Sequence, residues 1–225
     1  MKWSIIPPEI KNDIFYNNII NVISENNDIN NILEIGASSG GGSTEAILEG
    51  CKLHDSKFNK KVKVFSLEVC TERFNILKDR YKSIPNFYPY NMSSIHIDEF
   101  PKKNDIIHFY NNFKTNLNSA SLSTILSWYD NDIMYITENN IQQNAIEHIM
   151  KEHKIDTFDC VLIDGSEFTG FVEFKKLYGA KYIMLDDINA HKNYLSHHSL
   201  KNDKNYKLLV ENYHLRNGYS IFVKI

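Results

Sequence analysis

The chain has 225 residues, is 42% hydrophobic and 12% aromatic, and carries a formal net charge of −3. A chain of this length suits one domain that buries its core without metal or disulfide support. Few glycines (9) and prolines (5) beside 13 Phe and 13 Tyr exclude collagen-like and disordered chains, and the charge excludes a broadly basic nucleic-acid surface.

The three cysteines, Cys51, Cys70 and Cys160, are widely spaced and form no C-x-x-C pair, which speaks against a disulfide framework and a zinc knuckle. The opening Met1 to Pro8 has no apolar stretch of the secretory type, and no apolar run is long enough to span a bilayer. The expectation is a cytoplasmic protein.

In chain order, Pro7-Pro8 reads as a helix entry, with Ile10, Ile14, Phe15, Ile19, Ile20 and Ile23 at helical spacing and Asn26-Asn27-Asp28 as the stop. Ile32 to Ile35 reads as a buried strand halted by Gly36, and Ser43 to Leu48 restarts a helix. Val62 to Val69 is a second strand. Thr71 is the expected N-cap of a helix through Phe74, Leu77 and Tyr81. Phe87 to Met92 is a third strand, weakened by Pro89. Residues 93–156 show no clear strand and read as a helical insertion of two or three helices. Phe158 to Asp164 and Tyr182 to Asp187 are strands ending on carboxylates, with helices expected over Phe168 to Tyr178 and Tyr194 to Leu200. Tyr206 to Asn212 and Tyr219 to Val223, separated by Arg216-Asn217-Gly218, read as a hairpin. Strands alternating with helices predict a Rossmann-like, doubly wound α/β sheet, into which the hairpin brings one antiparallel strand.

The first strand runs into Glu34-Ile35-Gly36-Ala37-Ser38-Ser39-Gly40-Gly41-Gly42-Ser43-Thr44. Such a strand–turn–helix junction suits an anionic or nucleotide ligand. It lacks the lysine of a P-loop, and it lacks G-x-G-x-x-G, leaving E-x-G-x-x-x-G. A Gly-rich turn without a ligand is the alternative. Glu68 ends the second strand beside this turn, where a carboxylate can accept both hydroxyls of a ribose.

Glu34-x-Gly36-x-x-x-Gly40 with the strand-end Glu68 and the terminal hairpin resembles the class I S-adenosylmethionine-dependent methyltransferases, from about Asn31 to the C-terminus. The resemblance implies a seven-stranded sheet and S-adenosylmethionine as cofactor. It sets the turn, with Glu34, Gly36, Ser38 and Gly40, at the methionyl part. Glu68 would hold the ribose, and Asn91 to Ser94 would lie near the adenine. Asp164 after the fourth strand and Asp186-Asp187 after the fifth can converge at the rim where such sheets bind ligands, parallel neighbours lying about 4.8 Å apart. This spacing resembles the metal-dependent O-methyltransferases of the catechol and macrocin type, and implies Mg²⁺ or Mn²⁺ on Asp164, Asp186 and Asp187. The alternative is that these residues cap turns or face substrate without metal.

Asp164, Glu167 and His191 are the catalytic candidates, Glu167 and His191 as rival bases. For Glu167 the competing reading is a helix-start carboxylate, and for His191 a surface histidine. His197-His198, next to Tyr194, are expected to line the same mouth. The aromatics Phe109, Tyr110, Phe113, Trp128, Tyr129 and Tyr135 are expected mostly to form the insertion's core, with exposed ones lining an acceptor lid. The resulting expectation is an O-methyltransferase of a sugar, glycan precursor or other small molecule, open to homo-oligomer formation. A non-catalytic cofactor-binding scaffold and an NAD-dependent sugar oxidoreductase are the competing functions.

Overall fold

The computed structural model describes residues 7–225; the opening segment read for a leader lies in part outside them, at residues 1–6. Seven strands form one sheet in the order β3-β2-β1-β4-β5-β7-β6. These are β1 (Asn31–Ile35), β2 (Lys63–Leu67), β3 (Phe87–Tyr90), β4 (Cys160–Ile163), β5 (Tyr182–Asp186), β6 (Tyr206–Asn212) and β7 (Tyr219–Lys224). Only β7 runs antiparallel to its neighbours, β5 and β6. The described helices are α1 (Ile14–Glu25), α2 (Ser43–Phe58), α3 (Thr71–Arg80), α4 (Lys103–Asn112), α5 (Leu122–Glu138), α6 (Ala145–His153), α7 (Gly170–Leu177) and α8 (His191–Lys201).

The period-2 alternation of buried strands feeds two cores. Ile32, Val64, Cys160, Leu162, Tyr182 and Met184 face α1 and α2 with Phe15, Ile19, Ile23 and Ile47. Leu33, Ile35, Phe65, Val161, Ile163 and Ile183 face the opposite layer, with Ile146, Ile149, Phe174 and Leu200. Sheet order reverses between β1 and β4, and the carboxyl ends of those strands open there into a crevice.

Several local expectations change. Pro7-Pro8 does not open a helix: α1 starts at Ile14, where the Asp13 side chain accepts from the Tyr16 N–H, and Ile14 is exposed. Cys70, not Thr71, is the N-cap of α3. The expected insertion divides in two. Helix α6 belongs to the main core, and its first amides donate to the Ser93 and Ser94 carbonyls. Helices α4 and α5 instead build a satellite core from Ile106, Phe109, Leu117 and Ile125, closed by Phe168 of the β4–α7 loop. Phe109, Tyr110, Phe113 and Tyr129 belong to that core, as expected, whereas Trp128 is exposed. All three cysteines are free thiols, and among the described residues no helix is long and apolar enough to cross a membrane.

Candidate active site

A cavity of about 470 Å³ lies at the switch point, walled by the Gly36–Ser43 turn, Glu68, Met92 to Ser94, the Asp164–Thr169 loop, Asp186-Asp187 and one face of α5. The turn is held from beneath. Alternation along β1 points Glu34 under α2, where its fully buried carboxylate accepts from Ser43 (2.7 Å), Thr44 (2.8 Å) and Ser66 (2.6 Å). Burial pushes its pKa up, against those hydroxyls. Glu34 is therefore a brace for the turn and does not line the cavity, contrary to the expected cofactor contact.

Gly36 (φ +93°) and Gly40 (φ +78°) take backbone conformations open to glycine, and Ser38 joins them at φ +50°. The turn's Ser38 N–H donates to Glu68 Oε2 (2.7 Å), and the Cys70 N–H donates to Oε1 (2.7 Å). Each Glu68 oxygen keeps a lone pair for a ligand hydroxyl. Ser94 lines the cavity and donates to Glu173 Oε1 at 2.5 Å. The other oxygen of that buried carboxylate has no partner. Asn91 is not on the wall: its amide donates to the Glu68 and Val69 carbonyls (both 2.8 Å), tying the β2–α3 corner together.

Asp164, Asp186 and Asp187 do converge, with ligand atoms within 4.8 Å of one another. Two cations sit among them. Lys192 Nζ donates to Asp164 Oδ1 (2.8 Å) and Asp187 Oδ2 (2.6 Å). Arg216, in the hairpin loop, donates to Asp186 Oδ1 (2.8 Å) and also binds Asp13. Burial and the neighbouring carboxylates drive Asp186 well above the usual range, while Lys192, against the cost of burial, holds Asp187 below it. Against its own burial, the Lys192 ammonium is held well above its usual pKa by Asp164, Asp187, Glu167 and Asp186. This donor set does not fit a divalent ion, because each carboxylate already has a protein cation.

Glu167 lines the same wall, and burial pushes its pKa up to about 7. His191 does not line the cavity. Its ring packs on Phe109 (4.6 Å) and Phe168 (5.8 Å), its Nδ1 meets the Glu167 carbonyl at 3.0 Å, and burial lowers its pKa. Tyr194 packs in the satellite core, and His197 is fully buried beneath the hairpin, against Ser220 and Tyr213. His198 stacks on Tyr194 (4.1 Å), so Tyr194, His197 and His198 do not form the expected mouth.

Four side chains escaped sequence reasoning: Lys192, Arg216, Glu173 and Asp132. Trp128, Asp132 and Ile136, at i, i+4 and i+8 on α5, put one helix face onto the cavity. Burial raises Asp132 to about 6, against the Ser166 hydroxyl that donates to it at 2.5 Å. Lys192 carried a signal of its own: a cation in the first turn of a helix opposes the dipole and needs a local reason.

No protein-family model and no curated protein matches the chain. Solved structures do. An O-methyltransferase from Bacillus cereus in complex with S-adenosylhomocysteine aligns at TM-score 0.54 and 12% identity, over 97% of this chain and 84% of the other. A methyltransferase from Geobacter sulfurreducens aligns at TM-score 0.55 and 6% identity, over 99% and 82%. A precorrin-6y C5,15-methyltransferase from Geobacter metallireducens aligns at TM-score 0.50 and 12% identity, over 100% and 94%. The chain has the class I methyltransferase fold: a mixed seven-stranded sheet closed by an antiparallel hairpin, with the cavity at the switch point. At such identities the likeness carries the fold and not the acceptor.

Proposed function

We propose that the protein is an S-adenosylmethionine-dependent methyltransferase acting on a hydroxyl of a sugar, glycan precursor or other small molecule. One observation carries this reading: the Gly36–Gly40 turn with Glu68 on one wall, and a carboxylate-rich wall opposite, enclose a single cavity. When bound, the cofactor supplies a sulfonium methyl that an acceptor oxygen takes in line, leaving S-adenosylhomocysteine as a neutral thioether.

The chain's residues supply the rest. The turn amides and Glu68 bind the cofactor's polar parts, and Glu68 is the ribose acceptor. Glu167 takes the hydroxyl proton on its carboxylate, its raised pKa suiting a base near neutral pH. Trp128 offers a ring face and Asp132 a carboxylate to a hydroxylated acceptor at the mouth. The Mg²⁺ or Mn²⁺ expected of the rim has no step here.

Calorimetry with S-adenosylmethionine, S-adenosylhomocysteine, NAD and a UDP-sugar tests the reading. Binding of the first two alone supports it. NAD binding points to the oxidoreductase, and cofactor binding with no turnover across an acceptor panel points to the scaffold.

A further inference from the structure

We propose that the Lys192 ammonium stands in for a divalent cation on this rim, so that the native chain excludes the metal and loss of the lysine opens a metal site on Asp164 and Asp187.

The charge is in an unfavourable place unless it has this role. Lys192 is the second residue of α8, where the helix dipole repels a cation, and its side chain is only 9% exposed. Two carboxylates compensate it at 2.8 and 2.6 Å, and they come from different strand ends, Asp164 after β4 and Asp187 after β5. A bridging cation at that point is what three crowded carboxylates require. Arg216 takes the third, Asp186, from the side of the hairpin.

The backbone around the lysine is fixed as closely as a structural ion site would be. A Cβ on Gly170 would lie 2.1 Å from the Lys192 carbonyl oxygen, so the first turns of α7 and α8 are in contact. The next residue, Asn193, donates to the carbonyls of Ile163 (2.8 Å) and Asp186 (2.7 Å), clamping the same two strand ends. The Cα of Lys192 is thereby held over the rim, and its two ion pairs hold the ammonium there. Two of its three N–H donors are used by Asp164 and Asp187, and Lys192 lines the cavity. The third donor is able to hold an acceptor oxygen, as a metal would. This role toward an acceptor rests on the methyl-transfer reading, whereas the exclusion of metal does not.

The test reads metal binding directly, without turnover. Purified full-length protein is titrated with Mn²⁺ and free ion is followed by electron paramagnetic resonance. Wild type should bind no ion at the rim. Lys192→Ala and Lys192→Met, the second keeping the buried stem, should each bind one Mn²⁺ at least about tenfold more tightly than wild type, because the Asp164 and Asp187 carboxylates lose their internal counter-charge. Adding Asp187→Asn to either variant should remove that binding. Circular dichroism identifies which lysine variant is folded, and one folded variant suffices. The proposal is overturned if wild type binds one equivalent that Asp187→Asn abolishes, or if the folded lysine variants bind none. It is equally overturned if neither lysine variant folds while wild type binds Mn²⁺, or if neither folds at all, since a stand-in for an ion must be replaceable by one when Mn²⁺ is present during refolding. The cofactor titration is a separate measurement, so failure of the methyltransferase reading is distinguishable from failure here.

Discussion

Gly36 and Asp164 are in direct backbone contact across the switch point: a Cβ on the glycine would lie 2.0 Å from the Asp164 carbonyl oxygen. The sequence suggests that glycine here admits a ligand. The structure gives a prior reason, that β1 and the end of β4 leave no room for a side chain. Gly36→Ala should therefore lower unfolding stability by more than about 2 kcal/mol, from the clash and the positive φ together. Urea denaturation checks it; an alanine variant as stable as wild type contradicts it.

Glu68→Gln should weaken S-adenosylhomocysteine binding by about tenfold or more. It keeps the shape of the side chain but removes the charge, and hydrogen bonds to charged acceptors are worth about 1.5–3 kcal/mol. Calorimetry reads the change, and unchanged affinity would take Glu68 out of the ribose site. Glu68→Ala is a poorer probe, because it unpairs both the Ser38 and Cys70 amides, whereas glutamine keeps an acceptor for one of them.

A base must be ionised to accept a proton. With Glu167 pushed up to about 7, methyl transfer should fall as pH drops through that value, and Glu167→Gln should abolish that limb. Asp132→Asn should leave the limb in place and raise the acceptor's KM. Initial rates of S-adenosylhomocysteine release across pH 5–9 separate the two, and a limb that survives Glu167→Gln excludes it as the base.

His197 makes the chain acid-sensitive. Burial first, then the neighbouring His198, lowers its pKa from 6.5 to about 4. The unfolded chain binds that proton below about 6.5 and the folded chain does not, so stability falls as pH drops from about 6.5 towards 4. His197→Gln, which can still pair with Ser220 and Tyr213, should flatten this part of the profile. Thermal melting at pH 7.5, 6 and 5 checks the difference between the two proteins.

The sheet was legible because its signals are local: apolar runs for β1, β4 and β5, and Asn217-Gly218 for the hairpin. Glu68 and the three rim aspartates were legible too, since strand ends in such a sheet meet at one crevice. Their partners were not. Lys192 and Arg216 reach the rim from α8 and from a loop, and nothing in spacing shows which long side chain turns inward. His191 and Asn91 were misjudged for a related reason. A polar residue near a rim in sequence can face the wrong way, one into Phe109 and Phe168 and the other into a corner of backbone carbonyls. Asp132 was hidden because α5 lies outside the alternating pattern altogether.

Arg216 has a consequence for how the chain is made. Its guanidinium joins Asp13 to Asp186, and the first of these partners lies 203 residues away in sequence. Strand β7, which follows it directly, also slots between β5 and the earlier-made β6. During synthesis, then, β5 waits with an unpaired edge and Asp186 without its counter-charge until the hairpin has been made. A nascent chain arrested before residue 216 has its Gly-rich turn but an unfinished acidic wall. Completion of the crevice thus waits for the hairpin.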